Sequence, residues 1–243
     1  MYIGNDPSST TDGAQYNVAI GATALDAITT GDKNVAVGYD ALSNSSSVSN
    51  NVAFGTNAMK STTSGDPSTA LGHRAMEDNT SGGGNTAVGY LSLANNTTAS
   101  HNTGIGNGAL VYNTTGEKNT GLGYNALGSN TTGSRNLTLG WGTGDAITTG
   151  SDNVIIGSGS DPSANSASNQ IVIGAGATGQ ADNSVVLGNA NVTTVYAAQD
   201  AGATLYAGAL NLGGTAVTST AAELNLLDDV TSLATNVTGL SDA

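Results

Sequence analysis

The 243-residue chain contains no cysteine, so no disulfide framework holds it together and its redox compartment stays open. Proline is nearly absent, at 3 residues, and a single Phe and a single Trp leave no bulky aromatic core. Charge is sparse too: 9% of residues are charged, against about 25% in an average globular chain. That is not the composition of disorder, which favours charge and proline over regular aliphatic positions. The positive sign is the scarcer one, with 5 Lys and Arg against 18 Asp and Glu. A net charge of −13 makes nucleic acid a poor partner and keeps an assembly soluble and self-repelling. No apolar run approaches the roughly 20 residues of a membrane-spanning helix, so no membrane insertion is expected. The opening Met1-Tyr2-Ile3-Gly4-Asn5-Asp6 has neither the basic nor the apolar region of a secretory signal. Ile3-Gly4 falls on the repeat lattice described next, and the chain reads as a fragment of, or a block within, a longer protein.

What the chain has in abundance is glycine, 35 residues of it, on a fixed step. Gly4, Gly21, Gly38, Gly55, Gly72, Gly89, Gly106, Gly123, Gly140, Gly157 and Gly174 are each 17 residues apart, and Gly188 follows after 14. The preceding residues repeat as well: Asn17-Val18-Ala19-Ile20, Asn34-Val35-Ala36-Val37, Asn85-Thr86-Ala87-Val88 and Asn153-Val154-Ile155-Ile156. A period of 17 is too short for a helical hairpin and suits one coil of a solenoid. The expected fold is all-β: a parallel β-solenoid, of the left-handed β-roll kind, with 17-residue coils stacked one strand spacing apart, about 4.7–4.9 Å.

Each coil position has its own chemistry. The residue before the glycine is apolar throughout (Ile20, Val37, Phe54, Leu71, Val88, Ile105, Leu122, Leu139, Ile156, Ile173), and the residue two earlier shares its face. Between them lies a small residue: Ala19, Ala36, Ala53, Ala70, Ala87, Gly104 or Gly121. A second apolar column stands four residues after the glycine, at Leu25, Leu42, Met59, Met76, Leu93, Leu110 and Leu127. This pattern predicts two short strands per coil, packed face to face, with three aliphatics forming a thin core. Thin cores gain stability by association, which makes the small-residue face the expected contact between protomers.

Asn at 17, 34, 51, 85, 102, 119, 136 and 153 predicts a ladder of stacked amides, and Asn113-Thr114-Thr115-Gly116 and Asn130-Thr131-Thr132-Gly133 predict a second corner with glycine at positive φ. The lattice loosens after Gly140, where the second apolar column becomes Gly144 and then Asp161. Three segments result: a repeat roll over 1–190, a neck or connector over 191–219, and a short helix or coiled-coil start over 220–243. In the last, Thr220-Ala221-Ala222-Glu223 has the form of a capping box, and Leu226, Val230, Leu233, Val237 and Leu240 follow a heptad step. A β-rich connector is the competing reading of that segment.

The run Asn183-Ser184-Val185-Val186-Leu187-Gly188, with its looser copies upstream, resembles the head repeats of bacterial trimeric autotransporter adhesins. In that family three β-rolls form a head, and a neck leads into a coiled-coil stalk; the usual repeat is shorter than 17 residues. The stretch Gly208-Ala209-Leu210-Asn211-Leu212-Gly213-Gly214-Thr215-Ala216-Val217-Thr218-Ser219-Thr220-Ala221-Ala222-Glu223-Leu224-Asn225-Leu226-Leu227-Asp228 is similar to a segment common in phage tail fibre proteins. The resemblance implies a homotrimeric tail fibre segment in the virion, joined to other tail or fibre proteins, that positions or provides host-cell attachment through a surface glycan or protein. A bacterial cell-surface adhesin head is the alternative.

The residues give little sign of an enzyme. A glycan hydrolase needs two carboxylates about 5–9.5 Å apart, and the acids occupy no paired repeat position. His73 and His101 stand at unrelated positions without a cysteine, and no cofactor is expected. Two columns form a candidate receptor patch for a glycan: rings directly after the glycine (Tyr90, Tyr124, Trp141), and His101, Lys118 and Arg135 twelve residues after it. A third reading is an ice-binding solenoid, from Thr-Thr corners at 97–98, 114–115, 131–132 and 148–149.

Overall fold

The computed structural model describes residues 2–4, 13–65, 67–195, 210–212 and 215–217. Each lattice glycine ends a short strand. These are β2 (Asn17–Ile20), β3 (Val35–Val37), β4 (Val52–Phe54), β5 (Thr69–Leu71), β6 (Thr86–Val88), β7 (Thr103–Ile105), β8 (Thr120–Leu122), β9 (Leu137–Leu139), β10 (Val154–Ile156), β11 (Ile171–Ile173) and β12 (Val185–Leu187). Consecutive strands pair in parallel, in chain order, with every repeat position opposite its own copy. The roll is therefore a parallel β-solenoid of 17-residue coils closing on a 14-residue one, and no helix occurs among the described residues. Ten strand spacings between β2 and β12 give about 48 Å.

β1 (Tyr2–Gly4) departs from the lattice. It pairs antiparallel with β2, placing Ile3 opposite Val18, so Gly4 shares the spacing of the repeat without opening a coil. Residues 194–243 form a separate unit, described through the antiparallel hairpin of β13 (Leu210–Leu212) and β14 (Thr215–Val217). The capping box and heptads at 220–243 lie outside the described residues.

The interior is inverted relative to the sequence expectation. The small column faces inward, with Ala36, Ala53, Ala70 and Ala87 at 0% exposure. It packs with the second apolar column, Leu42, Met59, Met76, Leu93, Leu110 and Leu127, which is equally buried. The aliphatics on either side of the small residue point outward. Something does pack closely on the small face, and it is the opposite wall of the same coil, not another protomer.

That opposite wall is not a second strand. Leu25, Leu42, Met59, Met76, Leu93, Leu110 and Leu127 all have φ between 51 and 55°, a left-handed conformation closed to extended backbone. The wall is a stack of turns joined by inter-coil bonds such as Leu93 N–H to the Ala109 carbonyl at 3.0 Å. A large side chain on this wall needs a small one on the strand, because the coil is one side chain thick. Where the wall loses its large residue, the strand enlarges in compensation: Gly144 accompanies Thr138, and the following strands carry buried Ile155 and Val172. A Cβ on Gly144 would lie 2.6 Å from Thr138 Cγ2, so the loosening seen in the sequence is an exchange of volume across the core.

The lattice glycines have φ between 130 and 147° from Gly21 to Gly174. A Cβ on Gly106 would also come within 2.2 Å of the Gly123 carbonyl oxygen. At the second corner the glycine has a different reason from the expected one. Gly116 is not at positive φ; a Cβ there would meet the Gly133 oxygen at 2.1 Å. Positive φ falls instead on His101, Lys118, Arg135 and Asp152, at 58–62°.

Buried asparagines join the coils. Asn136 N–H donates to Asn119 Oδ1 at 2.9 Å, and Asn136 Nδ2 donates to the Gly150 carbonyl at 2.8 Å. The ladder thus bonds mainly to backbone, with amide-to-amide contacts as an addition. A second ladder, Asn79, Asn96, Asn113 and Asn130, bonds amide to amide at 2.7–3.0 Å.

Candidate interaction surfaces

Strand alternation sets two side chains of each outer strand toward solvent. One column is Val18, Val35, Val52, Thr69, Thr86, Thr103, Thr120, Leu137, Val154, Ile171 and Val185. The other, directly before the glycine, runs from Ile20 and Val37 through Phe54, Leu71 and Leu139 to Leu187. No charged residue interrupts either column over eleven strands. Ile20, Phe54, Leu71, Ile105, Leu139, Ile173 and Leu187 are all exposed. Parallel in-register pairing of 3-residue strands makes this a continuous uncharged stripe, mainly aliphatic with four threonines in one column, about 48 Å long and on the order of 10 Å wide.

The candidate receptor residues border this stripe on opposite sides. Tyr90, Tyr124 and Trp141 stand directly after the lattice glycines that follow the strands, and are exposed. His101, Lys118 and Arg135 precede the next strands by two residues. Six residues of chain separate His101 from Asn107, or Arg135 from Trp141, a span on the order of 20 Å, so the rings and the cations do not form one patch. Arg135 is engaged besides: its guanidinium grips Asp152 in the next coil through Nε–Oδ1 at 2.5 Å and Nη2–Oδ2 at 2.8 Å. This bond holds the Asp152 carboxyl below its ordinary range and raises the guanidinium further. Beside His101 lies a shallow cleft of about 350 Å³ lined by serine and glycine, including Ser81, Gly83, Gly84 and Ser100.

The ring column is longer than the three residues read from the sequence. His73 shares the position directly after the glycine and stacks on Tyr90, with centroids 5.5 Å apart and planes 13° apart. Tyr124 and Trp141 stack likewise, at 5.8 Å and 10°. Tyr39 occupies the same position and is exposed. Counting from the glycine would have found both Tyr39 and His73.

The structure also brings together two acids that the repeat register keeps apart. Asp161 is half-buried beside Asp145, and its Oδ1 accepts from Ala146 N–H at 3.1 Å. Burial raises the Asp161 pKa above the ordinary carboxylate value, and the Asp145 charge adds to the rise. Among the described residues no group of three or more His, Cys, Asp or Glu is placed to hold a metal ion, and no helix is long and apolar enough to cross a membrane.

At the Thr-Thr corners the two threonines differ: the second of each pair, Thr98, Thr115, Thr132 and Thr149, is exposed, and the first is engaged. Thr97, Thr114 and Thr131 each donate through Oγ1 to the threonine carbonyl of the next coil, at 2.9–3.0 Å. A further threonine column, Thr69, Thr86, Thr103 and Thr120, lies within the strand face itself.

No family model matches this chain. Searches of characterised proteins and of solved structures likewise return no match. The functional reading therefore rests on the surfaces themselves.

Proposed function

We propose that the chain is a segment of a homotrimeric fibre, of the phage tail fibre kind, whose role is to position or provide host-cell attachment from the virion. The observation that carries this reading is the uncharged stripe formed by the outer faces of β2 to β12. Its footprint, threonines included, is about 500 Å², comparable to the largest apolar patches that monomers expose, about 300–600 Å². A partner must match eleven layers at one strand spacing, and a second copy of the same roll, running alongside, does so in every layer. Mutual burial of the stripes by three copies leaves the acidic residues on the outside, where a charge of −13 per chain keeps the fibre soluble. The contact between protomers is then the large-aliphatic face, and the alanine face belongs to the core of each roll.

Light scattering tests this directly. A mass of three times the 23.7 kDa chain supports the fibre reading, and a stable monomer overturns it.

The Thr69–Thr86–Thr103–Thr120 column, flat and regular beside Leu71, Val88, Ile105 and Leu122, favours a second reading, an ice-binding face on a monomeric solenoid. Thermal hysteresis of the freezing point supports that reading, and its absence removes it.

A further inference from the structure

The column directly after the lattice glycine reads, coil by coil, Tyr39, Thr56, His73, Tyr90, Asn107, Tyr124, Trp141. Its backbone is held by a ladder in which each carbonyl accepts from the next coil: Gly108 N–H to Tyr90 at 2.9 Å, Asn125 N–H to Asn107 at 2.9 Å and Gly142 N–H to Tyr124 at 2.8 Å. The backbone positions that carry the rings are therefore fixed at multiples of the strand spacing. Tyr90 has one face covered by His73, and Tyr124 has one face covered by Trp141. The remaining faces of Tyr90 and Tyr124 border the Asn107 layer, and the backbone positions of the two tyrosines are two strand spacings, about 9.5 Å, apart.

That separation selects a ligand shape. Carbon–carbon contacts are best at about 3.5–4.0 Å, so a flat ring between two aromatic faces needs about 7–8 Å, and a puckered saturated ring about 8–9 Å. The floor is polar. Asn107 is exposed and shorter than the rings on either side, and among the described residues its amide makes no hydrogen bond. The next residue, Gly108, has no side chain, and a Cβ there would find only Asn125 Oδ1, at 3.5 Å. No charged residue occurs in 86–95, 103–112 or 120–129, so nothing in these three layers recruits an ionic ligand. Tyr39 and His73 straddle Thr56 in the same way, but there the neighbouring corner is filled by Asn57, bonded to Glu77 at 3.0 Å, and by Arg74.

We infer that Tyr90, Asn107 and Tyr124 form a slot for one pyranose ring of a neutral glycan. The two tyrosines cover the sugar's apolar faces, and the asparagine amide exchanges hydrogen bonds with a ring hydroxyl. This deepens the attachment reading by giving it a ligand class and a place, at the border of the strand face. It does not require the charged column.

Saturation-transfer NMR on the purified full chain tests the slot, with chitotetraose, maltotetraose and cellotetraose as probes. At least one probe is expected to receive saturation from the protein's aromatic protons. Tyr90→Ala and Tyr124→Ala should each weaken that probe's binding at least about fivefold. Asn107→Tyr inserts a ring into the gap and should abolish binding while keeping the melting temperature, whereas Tyr112→Ala, an exposed tyrosine in another column, should leave binding unchanged. No saturation of any of the three probes, or equal saturation in Asn107→Tyr, overturns the inference. The light-scattering mass of the same samples reports on the fibre reading separately, since a trimer without sugar binding removes the slot alone.

Discussion

Replacing Leu71 and Leu139 together by Lys is expected to separate the protomers while leaving each roll folded. Both side chains point outward from the sheet, retaining 45% and 44% exposure in the single chain. Full burial of a leucine contributes about 1.5–3 kcal/mol, so covering the exposed half contributes about 1 kcal/mol per residue. Two residues in each of three copies amount to about 6 kcal/mol, or about four powers of ten in the association constant. Six ammonium groups brought to one contact add repulsion to that loss. The monomer is little affected, because a lysine on an outward face extends its charge into water while its stem covers the neighbouring aliphatics. Light scattering over a hundredfold concentration range, with circular dichroism on the same samples, reads both effects. The parent should hold at three times 23.7 kDa and the variant at 23.7 kDa, with the same strand signal. A trimeric variant would place the contact elsewhere, and loss of the strand signal would mean that these leucines support the roll itself.

Further expectations follow from the core and its polar ladders. Ala87→Leu, at a position with no exposure beside the Leu93 column, should destabilise the roll by about 1–3 kcal/mol through overpacking; an unchanged denaturation midpoint would mean that the small face is not interior. Asn119→Ala leaves the buried Asn136 N–H and the Gly133 carbonyl without their partners, and should cost about 1–3 kcal/mol in chemical denaturation. Asp161 has a raised pKa in the folded chain, so its contribution is fully present below the unfolded carboxylate value and is lost as pH rises through the folded value. Asp161→Asn keeps the acceptor for Ala146 N–H and should therefore raise the melting temperature at pH 7, with the gain vanishing near pH 3. Equal gains at both pH values would contradict this. Asp152, whose pKa is lowered by Arg135, behaves oppositely: its small exposed contribution is present above the ordinary carboxylate value and lost on acidification.

The spacing of Gly21 to Gly174 determined by itself the coil length, the strand positions and the parallel register, because a glycine demanded every 17 residues admits one stacking. It also marked the shortened last coil and the corner asparagines, whose repetition has no use outside a ladder. Candidate ligand residues were legible only in part: Tyr90, Tyr124 and Trp141 could be counted from the glycine, but their pairing into stacks depends on ring planes. Which face is the interior was decided only by the tertiary structure. Alternation divides Val35, Ala36 and Val37 into two sets without saying which set is inside. The answer came from Leu42 and its equivalents, which adopt a left-handed conformation that no propensity assigns to leucine. They fill the coil from the far wall and leave room for nothing larger than alanine opposite, and that steric limit turned the aliphatics flanking the small residue outward; where the wall loses its large residue, Ile155 and Val172 turn inward instead.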